Sequence, residues 1–491
     1  MLSKSHDPMQ YLGALTIYFF WIALVTGIYL FIFYDTSLSG AWVSVEKLTH
    51  DQWYLGGVMR SLHRYASDAA VVTMFLHLAR ELWRGRFRGV FWFSWLTGVP
   101  LIWLVYVFGI SGYWMVWDEL AAYVAVGSAR LMDVIPIFTD PMQRSFLSND
   151  AVNERFFTLI AFIHLVGLPI LLVLAIWFHL LRIRLPRINP PRKMMGASLA
   201  VLVLVSFVVP AVSHAPADLM RIPAELRIDW FYLAAYPLLD VSSEGVVWTL
   251  VTGLSLVLLA LPFWPVPEKA PVAEVHLDNC SACGFCAQDC PYGAIDMMPR
   301  EDGKPGLQAK VNPDLCVSCG ICVGACPSAT PFRSVAELMS GIEMPDLTTA
   351  DLKAKIDALP GANTGRRILA FGCDYGVSVN RLQEPDVHAI QLPCVGMLPA
   401  SFIDYALRGR ADAVFIAGCK DCHYRFGDAW LEARIDGERV PALRKRVPRD
   451  RLAVTWLPQS ADQEMRQALD NLRLQLDGVQ VLKLADNGGT R

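Results

Sequence analysis

The chain changes character near residue 265. Before it, long uncharged apolar runs recur between short polar stretches; after it, charged and apolar residues mix as in a soluble protein. Six runs carry about the 20 apolar residues that a bilayer core demands, at 11–34, 62–83, 91–115, 157–181, 195–212 and 246–264. Each predicts a membrane-spanning helix. Basic residues collect in two connections: Arg84, Arg86 and Arg88 after the second run, and Arg182, Arg184, Arg187, Arg192 and Lys193 after the fourth. The remaining connections are richer in acids, among them Asp118, Glu119, Asp133, Asp140, Asp150, Asp218 and Asp229. Basic loops stay on the cytoplasmic side, so both termini are expected in the cytoplasm of a multi-pass protein of a bacterial inner membrane. Residues 1–10 lack the cleavage pattern of a signal peptide.

Composition agrees with this division. Hydrophobic residues make up 54 % of the 491, and mean hydropathy is +0.36, high for a soluble chain. A net charge of −3 gives no footing for nucleic acid.

Four of the ten histidines lie deep in the apolar runs. His63 and His77 are 14 residues apart in the second run, and His164 and His179 are 15 apart in the fourth. Fourteen residues make nearly four helical turns and rise about 21 Å, so the members of a pair share a face. Two such helices facing each other form two bis-histidine sites, His63/His164 toward the outer surface and His77/His179 toward the inner. Imidazole is an axial ligand of haem iron, and ionisable residues are too costly within lipid to serve as idle filler. Two b-type haems are expected. Gly13 and Gly27 in the first run, and Gly98 and Gly112 in the third, repeat the 14-residue step. A missing side chain lets a flat macrocycle approach the backbone; close helix packing is the competing use. Arg60, three before His63, and Arg80, three after His77, are candidates to pair with haem propionates or to snorkel to the interface.

All twelve cysteines follow residue 279. In a cytosolic segment such clusters mean metal ligation rather than disulfides. Cys280, Cys283, Cys286 and Cys290 stand in a C-x2-C-x2-C-x3-C-P run, which Cys316, Cys319, Cys322 and Cys326 repeat. In the bacterial two-cluster arrangement the fourth cysteine of each run ligates the other cluster. One 4Fe–4S cluster is therefore expected on Cys280, Cys283, Cys286 and Cys326, and another on Cys316, Cys319, Cys322 and Cys290. The remaining four are Cys373, Cys394, Cys419 and Cys422. Strands are predicted at 367–371, 389–392 and 413–416, with helices at 399–407 and 429–434. The cysteines thus sit at strand ends, where α/β folds place their sites. Four thiolates suit a 2Fe–2S cluster; structural zinc is the competing reading. The tail has no Gly-x-Gly-x-x-Gly after a strand, so the chain is not expected to bind flavin or nicotinamide itself.

Residues 9–265 resemble the cytochrome b of quinol–cytochrome c and plastoquinol–plastocyanin oxidoreductases. The histidine and glycine pairs, Arg60, Arg80 and the stretch Ser111-Gly112-Tyr113-Trp114-Met115-Val116-Trp117-Asp118 carry the resemblance. Arg227-Ile228-Asp229-Trp230-Phe231-Tyr232 is similar to the family's Pro-Glu-Trp-Tyr motif, with Ile228, Asp229 and Phe231 in place of Pro, Glu and Tyr. The resemblance implies a quinone site on the outer side with Asp229 handling a proton; an ordinary interfacial acid is the alternative. Residues 366–480 resemble the delta subunit of methyl-viologen-reducing hydrogenase through Phe371-Gly372-Cys373, Leu392-Pro393-Cys394-Val395-Gly396-Met397 and the run from Ala413 through Cys419-Lys420-Asp421-Cys422-His423-Tyr424. Tyr375 and Gly376 stand where that family has a further cysteine. His423 is a candidate ligand or, more simply, a donor behind the ligands.

The expected fold is multi-domain: an α-helical transmembrane bundle at 1–265 holding two haems, an α+β bacterial ferredoxin domain at 274–335, a linker at 336–365 and a small α/β iron–sulfur domain at 366–480. The expected function is that of a membrane electron-transfer subunit of a respiratory quinone oxidoreductase. Electrons pass between a soluble partner and membrane quinone through the clusters and haems. The resemblance implies that the partner is a cytosolic flavoprotein carrying FAD, heterodisulfide-reductase-like or NAD(P)H-linked, and admits a homodimer through the cytochrome b part. A redox-sensing or anchoring subunit without quinone turnover is the alternative. Electrons moving to the outer haem travel toward the positive side, which a potential of about 100 mV favours by about 2.3 kcal/mol per charge; the reverse flow builds potential.

Overall fold

The computed structural model describes residues 7–136, 141–146, 152–221, 223, 225–264, 271–335, 337–359 and 366–478. The loop acids Asp140 and Asp150 lie outside the described residues. The chain divides into two compact units, Met1–Pro267 and Glu268–Arg491.

The first unit is helical. Its elements are α1 (Leu12–Phe33), α2 (Ala41–His50), α3 (Val58–Trp83), α4 (Trp92–Val116), α5 (Glu119–Asp133), α6 (Glu154–Phe162), α7 (Leu168–Leu180), α8 (Arg192–Val208), α9 (Ala235–Val241) and α10 (Glu244–Ala260). A π-helical turn, Ile163–Gly167, joins α6 to α7 without a break. Four of the described stretches are long and apolar enough to cross a membrane: Leu12–Phe33, Trp92–Val116, Phe157–Leu180 and Glu244–Phe263. The other two expected spans are helices with a different signature. α3 carries Arg60, Arg64, Asp68, Arg80 and Glu81 along its 26 residues, and α8 has 17 residues with a basic first turn.

Packing follows the apolar pattern. α1 lies along α3, α4 lies along α7, and α8 leans on α3. Large apolar side chains such as Trp21, Ile32, Trp177, Phe207 and Leu254 remain exposed on the outside, a surface suited to lipid contact. Asp118 caps α5, accepting from the backbone N–H of Ala121 at 2.8 Å. Its other oxygen accepts from the N–H of His214 at 2.9 Å and so ties down the connection after α8.

In the second unit, the two cysteine runs form similar loops. Ala282 and Ser318, and then Gly284 and Gly320, take left-handed backbone conformations at matching positions. Each loop leads into a short helix, α11 (Phe285–Asp289) or α12 (Ile321–Gly324). β1 (Glu274–Val275) pairs with β4 (Ile342–Glu343), and β2 (Ile295–Pro299) with β3 (Leu307–Val311), both antiparallel. The stretch 336–365, expected to be a linker, is structured within its described residues. It supplies β4 and α13 (Thr349–Asp357), which buries Leu352 and Ile356 behind a Thr348/Asp351 capping box. Residues 336 and 360–365 of it lie outside the described residues.

Beyond it, β5 (Ile368–Cys373), β6 (Val387–Leu392), β7 (Ala413–Cys419) and β8 (Leu452–Leu457) form a parallel sheet in the order β6-β5-β7-β8. The three predicted strands are all present, as are the helices α14 (Ala400–Leu407) and α15 (Gly427–Asp436). α16 (Asp462–Leu476) closes one face, with Met465, Leu469 and Leu472 packed on Ile368, Ala370, Phe415 and Ala417. Arg434 of α15 is fully buried and pairs with Asp289 of α11, which also accepts from Arg439 Nε at 3.0 Å. A buried guanidinium needs such a partner, and this one ties the ferredoxin-like part to the parallel sheet.

Candidate functional site: two histidine sites and three thiol sites

Each of the four paired histidines lies against one of the four singled-out glycines. A Cβ built at Gly13 would stand 3.4 Å from Cε1 of His77; at Gly27, 3.0 Å from His63; at Gly98, 3.3 Å from His179; at Gly112, 3.0 Å from His164. The glycines therefore clear room for the imidazole rings themselves, a refinement of their expected role beside a macrocycle. The register is the same in both helix pairs, α1 on α3 and α4 on α7. His63 and His164 line one cavity, and His77 and His179 are neighbours in the same way.

The odd 15-residue step also has a cause. His164 sits in the π turn Ile163–Gly167, which adds one residue to the helix. The extra residue restores the register, so a 15-residue step meets glycines spaced by 14.

The ring nitrogens are anchored on one side. His63 Nδ1 lies 2.8 Å from the Ala23 carbonyl and 3.2 Å from Thr26 Oγ1. His164 Nδ1 lies 2.9 Å from Ser111 Oγ, and His179 Nδ1 3.2 Å from Thr97 Oγ1. Thr26, Thr97 and Ser111 each immediately precede one of the glycines, so a hydroxyl–glycine pair recurs at three of the four seats. At the fourth, Leu12 precedes Gly13, and His77 Nδ1 instead has Glu81 Oε1 at 3.8 Å. Fixing Nδ1 leaves Nε2 to bind a metal.

A cavity of about 730 Å³ adjoins His63 and His164, with Gly27, Gly112, Arg60, Arg64, Asp68 and Tyr113 among its lining. Its size lies within the range of cofactor and ligand pockets. Two imidazoles with anchored Nδ1, beside glycines and in an apolar cavity, fit a haem. Arg60 bonds to Thr49 Oγ1, to Ser213 Oγ at 2.7 Å and to Glu46 at 3.5 Å. Arg80 pairs with Glu81. Gly112→Val is expected to push the His164 ring off its seat and lower the haem-to-protein ratio, measured by pyridine haemochrome. Gly253→Val, where a Cβ meets nothing within 4 Å, should leave the ratio unchanged.

Asp229 is 7 % exposed. It accepts from the Phe231 N–H at 2.8 Å and from the Tyr113 hydroxyl, and has Arg64 Nη2 at 3.5 Å. Arg64 and Asp68 escaped the sequence reading. Their spacing of four on α3 looks like an ordinary surface ion pair.

The thiol sites are all in the second unit. Cys280, Cys283, Cys286 and Cys326 line one cavity, so the last cysteine of the second run joins the first three of the other. Cys319 and Cys322 have Cys316 and Cys290 as electrostatic neighbours, the reciprocal set. Burial pushes the Cys286 thiol up to about 12 and raises Cys319 and Cys322. Metal binding has to displace these protons. Sulfur ligation by four cysteines per set suits 4Fe–4S clusters.

The third set is fully buried. Cys373 ends β5 and Cys419 ends β7, with their Sγ atoms 3.7 Å apart. Cys394 follows β6 by two residues. β5 and β7 are adjacent while the chain visits β6 between them, so the set sits at the C-terminal edge where the strand order reverses, a favoured ligand position. Hydrogen bonding from Cys394 and Cys419 pulls the Cys373 thiol down, while the same contact to Cys373 raises Cys394 and Cys419. Gly427 must lack a side chain because its Cβ would run into Cys394 Sγ and stand 3.3 Å from Cys422 Sγ. His423 stacks flat on Tyr375, with centroids 3.7 Å apart and planes at 3°. Cys422 is an electrostatic neighbour of Cys319, and Tyr424 lies near both Cys319 and Cys394. The third set thus adjoins the set built on Cys316.

Comparison with known proteins gives three family matches in chain order. Residues 2–186 match cytochrome b/b6/petB, residues 279–330 match the 4Fe-4S dicluster domain, and residues 369–479 match the methyl-viologen-reducing hydrogenase delta subunit. Among solved structures, a chain titled hyperthermophilic respiratory Complex III is 18 % identical, with a TM-score of 0.41, covering 52 % of this chain and 75 % of that one. The chain is a membrane electron-transfer protein that joins a helical, haem-binding cytochrome b/b6-like part to an iron–sulfur part similar to 4Fe-4S dicluster domains and to the hydrogenase delta subunit.

Proposed function

We propose that this chain is the membrane subunit of a respiratory quinone oxidoreductase, coupling a cytosolic flavoprotein dehydrogenase to the quinone pool. One observation carries the reading: four histidines seated on four glycines in one register share a polypeptide with three four-cysteine sets. In this reading six helices span a bacterial inner membrane, α3 and α8 included, with both termini in the cytoplasm. His63 and His164 hold the outer haem, and His77 and His179 the inner. Cys280, Cys283, Cys286 and Cys326 hold one 4Fe–4S cluster; Cys316, Cys319, Cys322 and Cys290 hold the other. Cys373, Cys394, Cys419 and Cys422 hold a further cluster of the 2Fe–2S kind. When bound, these groups supply one-electron transfer between cytosol and membrane.

The chain's own residues set the order and the exits. The adjacency of Cys422 to Cys319 supports entry at the third set, next to the Cys316 set. The cavity that takes the haem between His63 and His164 also reaches Arg64, Asp68 and Tyr113, and that side of it suits a quinone head. Asp229 handles the proton that a quinol must lose there. The soluble substrate is handled by the flavoprotein, FAD-bearing and NAD(P)H-linked or heterodisulfide-reductase-like. The test is electron exchange between the purified complex and a panel of quinol analogues, followed by haem absorbance. Reduction of the haems by at least one quinol is expected; inertness toward every analogue would overturn the reading.

A further inference from the structure

The wall of the outer cavity carries a second carboxylate. Asp68, one turn beyond Arg64 on α3, lines the cavity and lies within hydrogen-bonding reach of Asp229. Asp229 stands behind it, buried against Tyr113, the Phe231 N–H and Arg64. Two carboxylates can hydrogen-bond to each other only if one carries a proton. Charge balance asks for the same state. Arg64 supplies one positive charge to the pair, while Tyr65, Tyr106, Tyr113 and Tyr232 around it are neutral phenols. Two ionised carboxylates would leave a net negative charge beside lipid, which is costly. Like charges this close do not both ionise.

We propose that Asp68 and Asp229 share a single proton and that Asp68, not Asp229, is the group that meets the quinol hydroxyl. The inference rests on the quinone reading of the cavity. In the step, the pair's proton sits on Asp229, leaving Asp68 as a carboxylate. The quinol O–H bond then breaks and its proton moves to an Asp68 oxygen. No electron moves in this proton step, and the negative charge that Asp68 gives up is left on the quinol oxygen. Asp229 then passes its proton outward, and the pair again holds one proton, ready to repeat. Tyr232 holds this arrangement from the other side, its hydroxyl 2.6 Å from Ser67 Oγ. Its ring lies edge-on to those of Tyr106 and Tyr113.

The test uses the whole purified complex and the variants Asp68→Asn, Asp229→Asn and Asp68→Glu, each checked for an unaltered haem spectrum. The first readout is infrared. The wild type should show a carboxylic-acid carbonyl band at neutral pH that is lost in both asparagine variants, because either remaining carboxylate then ionises beside Arg64. A band unchanged in Asp68→Asn would overturn the shared proton. The second readout is quinol-driven haem reduction. Asp68→Asn should lower the maximal rate by about 100-fold or more, the range of a lost general base, with little change in KM, and Asp68→Glu should recover most of it. An Asp68→Asn rate within a few-fold of wild type would overturn Asp68 as the acceptor. If no quinol reduces the wild type, the quinone reading fails together with Asp68's role, while the infrared arm still decides whether the pair shares a proton.

Discussion

Replacing His164 with leucine is expected to leave the purified protein with one b haem in place of two. His164 is buried, edge-on to Phe108 at 4.8 Å, bonded through Nδ1 to Ser111, and seated on Gly112. Leucine fills the space but offers no nitrogen, so His63 loses its partner. The other seat, His77/His179, shares no residue with this one and should keep its haem. Pyridine haemochrome content should halve, and a redox titration should lose one component. His50→Leu, at a histidine whose side chain is 65 % exposed, should change nothing. Ser111→Ala should act in the same direction more weakly, since losing a group that orients a ligand costs roughly 10–100-fold in affinity.

The second large effect concerns the crossing of the cysteine runs. Cys326→Ser is expected to remove the cluster built on Cys280, Cys283 and Cys286, although Cys326 belongs to the other run. Cys290→Ser should remove the cluster on Cys316, Cys319 and Cys322. Each substitution leaves three thiolates where four are needed. Electron paramagnetic resonance of the reduced protein should lose a different 4Fe–4S signal in each variant, and bound iron should fall by about four atoms per chain. Loss of the same signal in both variants would mean that the runs ligate without crossing.

Much of this was legible in spacing. A 14-residue step on a straight helix keeps one face, so His63 and His77 could be paired, and Gly13 with Gly27, before any contact was known. The step of 15 between His164 and His179 could not be resolved that way, because a π turn leaves no mark in the pattern of apolar residues. The partners of the glycines were equally hidden: helix spacing says which residues share a face, not what that face touches. Asp68 was obscured by its likeness to a surface ion pair with Arg64. The contact of Arg434 with Asp289, 145 residues apart, follows only from the fold. β8 and α16 lie past the last cysteine, where no chemistry drew attention. The apolar spacing of Met465, Leu469 and Leu472 carried the signal for α16.

In the proposed function, electrons pass between the haems and the clusters of this one chain. This is tested most directly by mixing the dithionite-reduced, purified chain anaerobically with a soluble quinone analogue, and following haem absorbance and cluster resonance signals together. The haems and all the clusters are expected to reoxidise as one pool. Haems that reoxidise while the clusters stay reduced would contradict it.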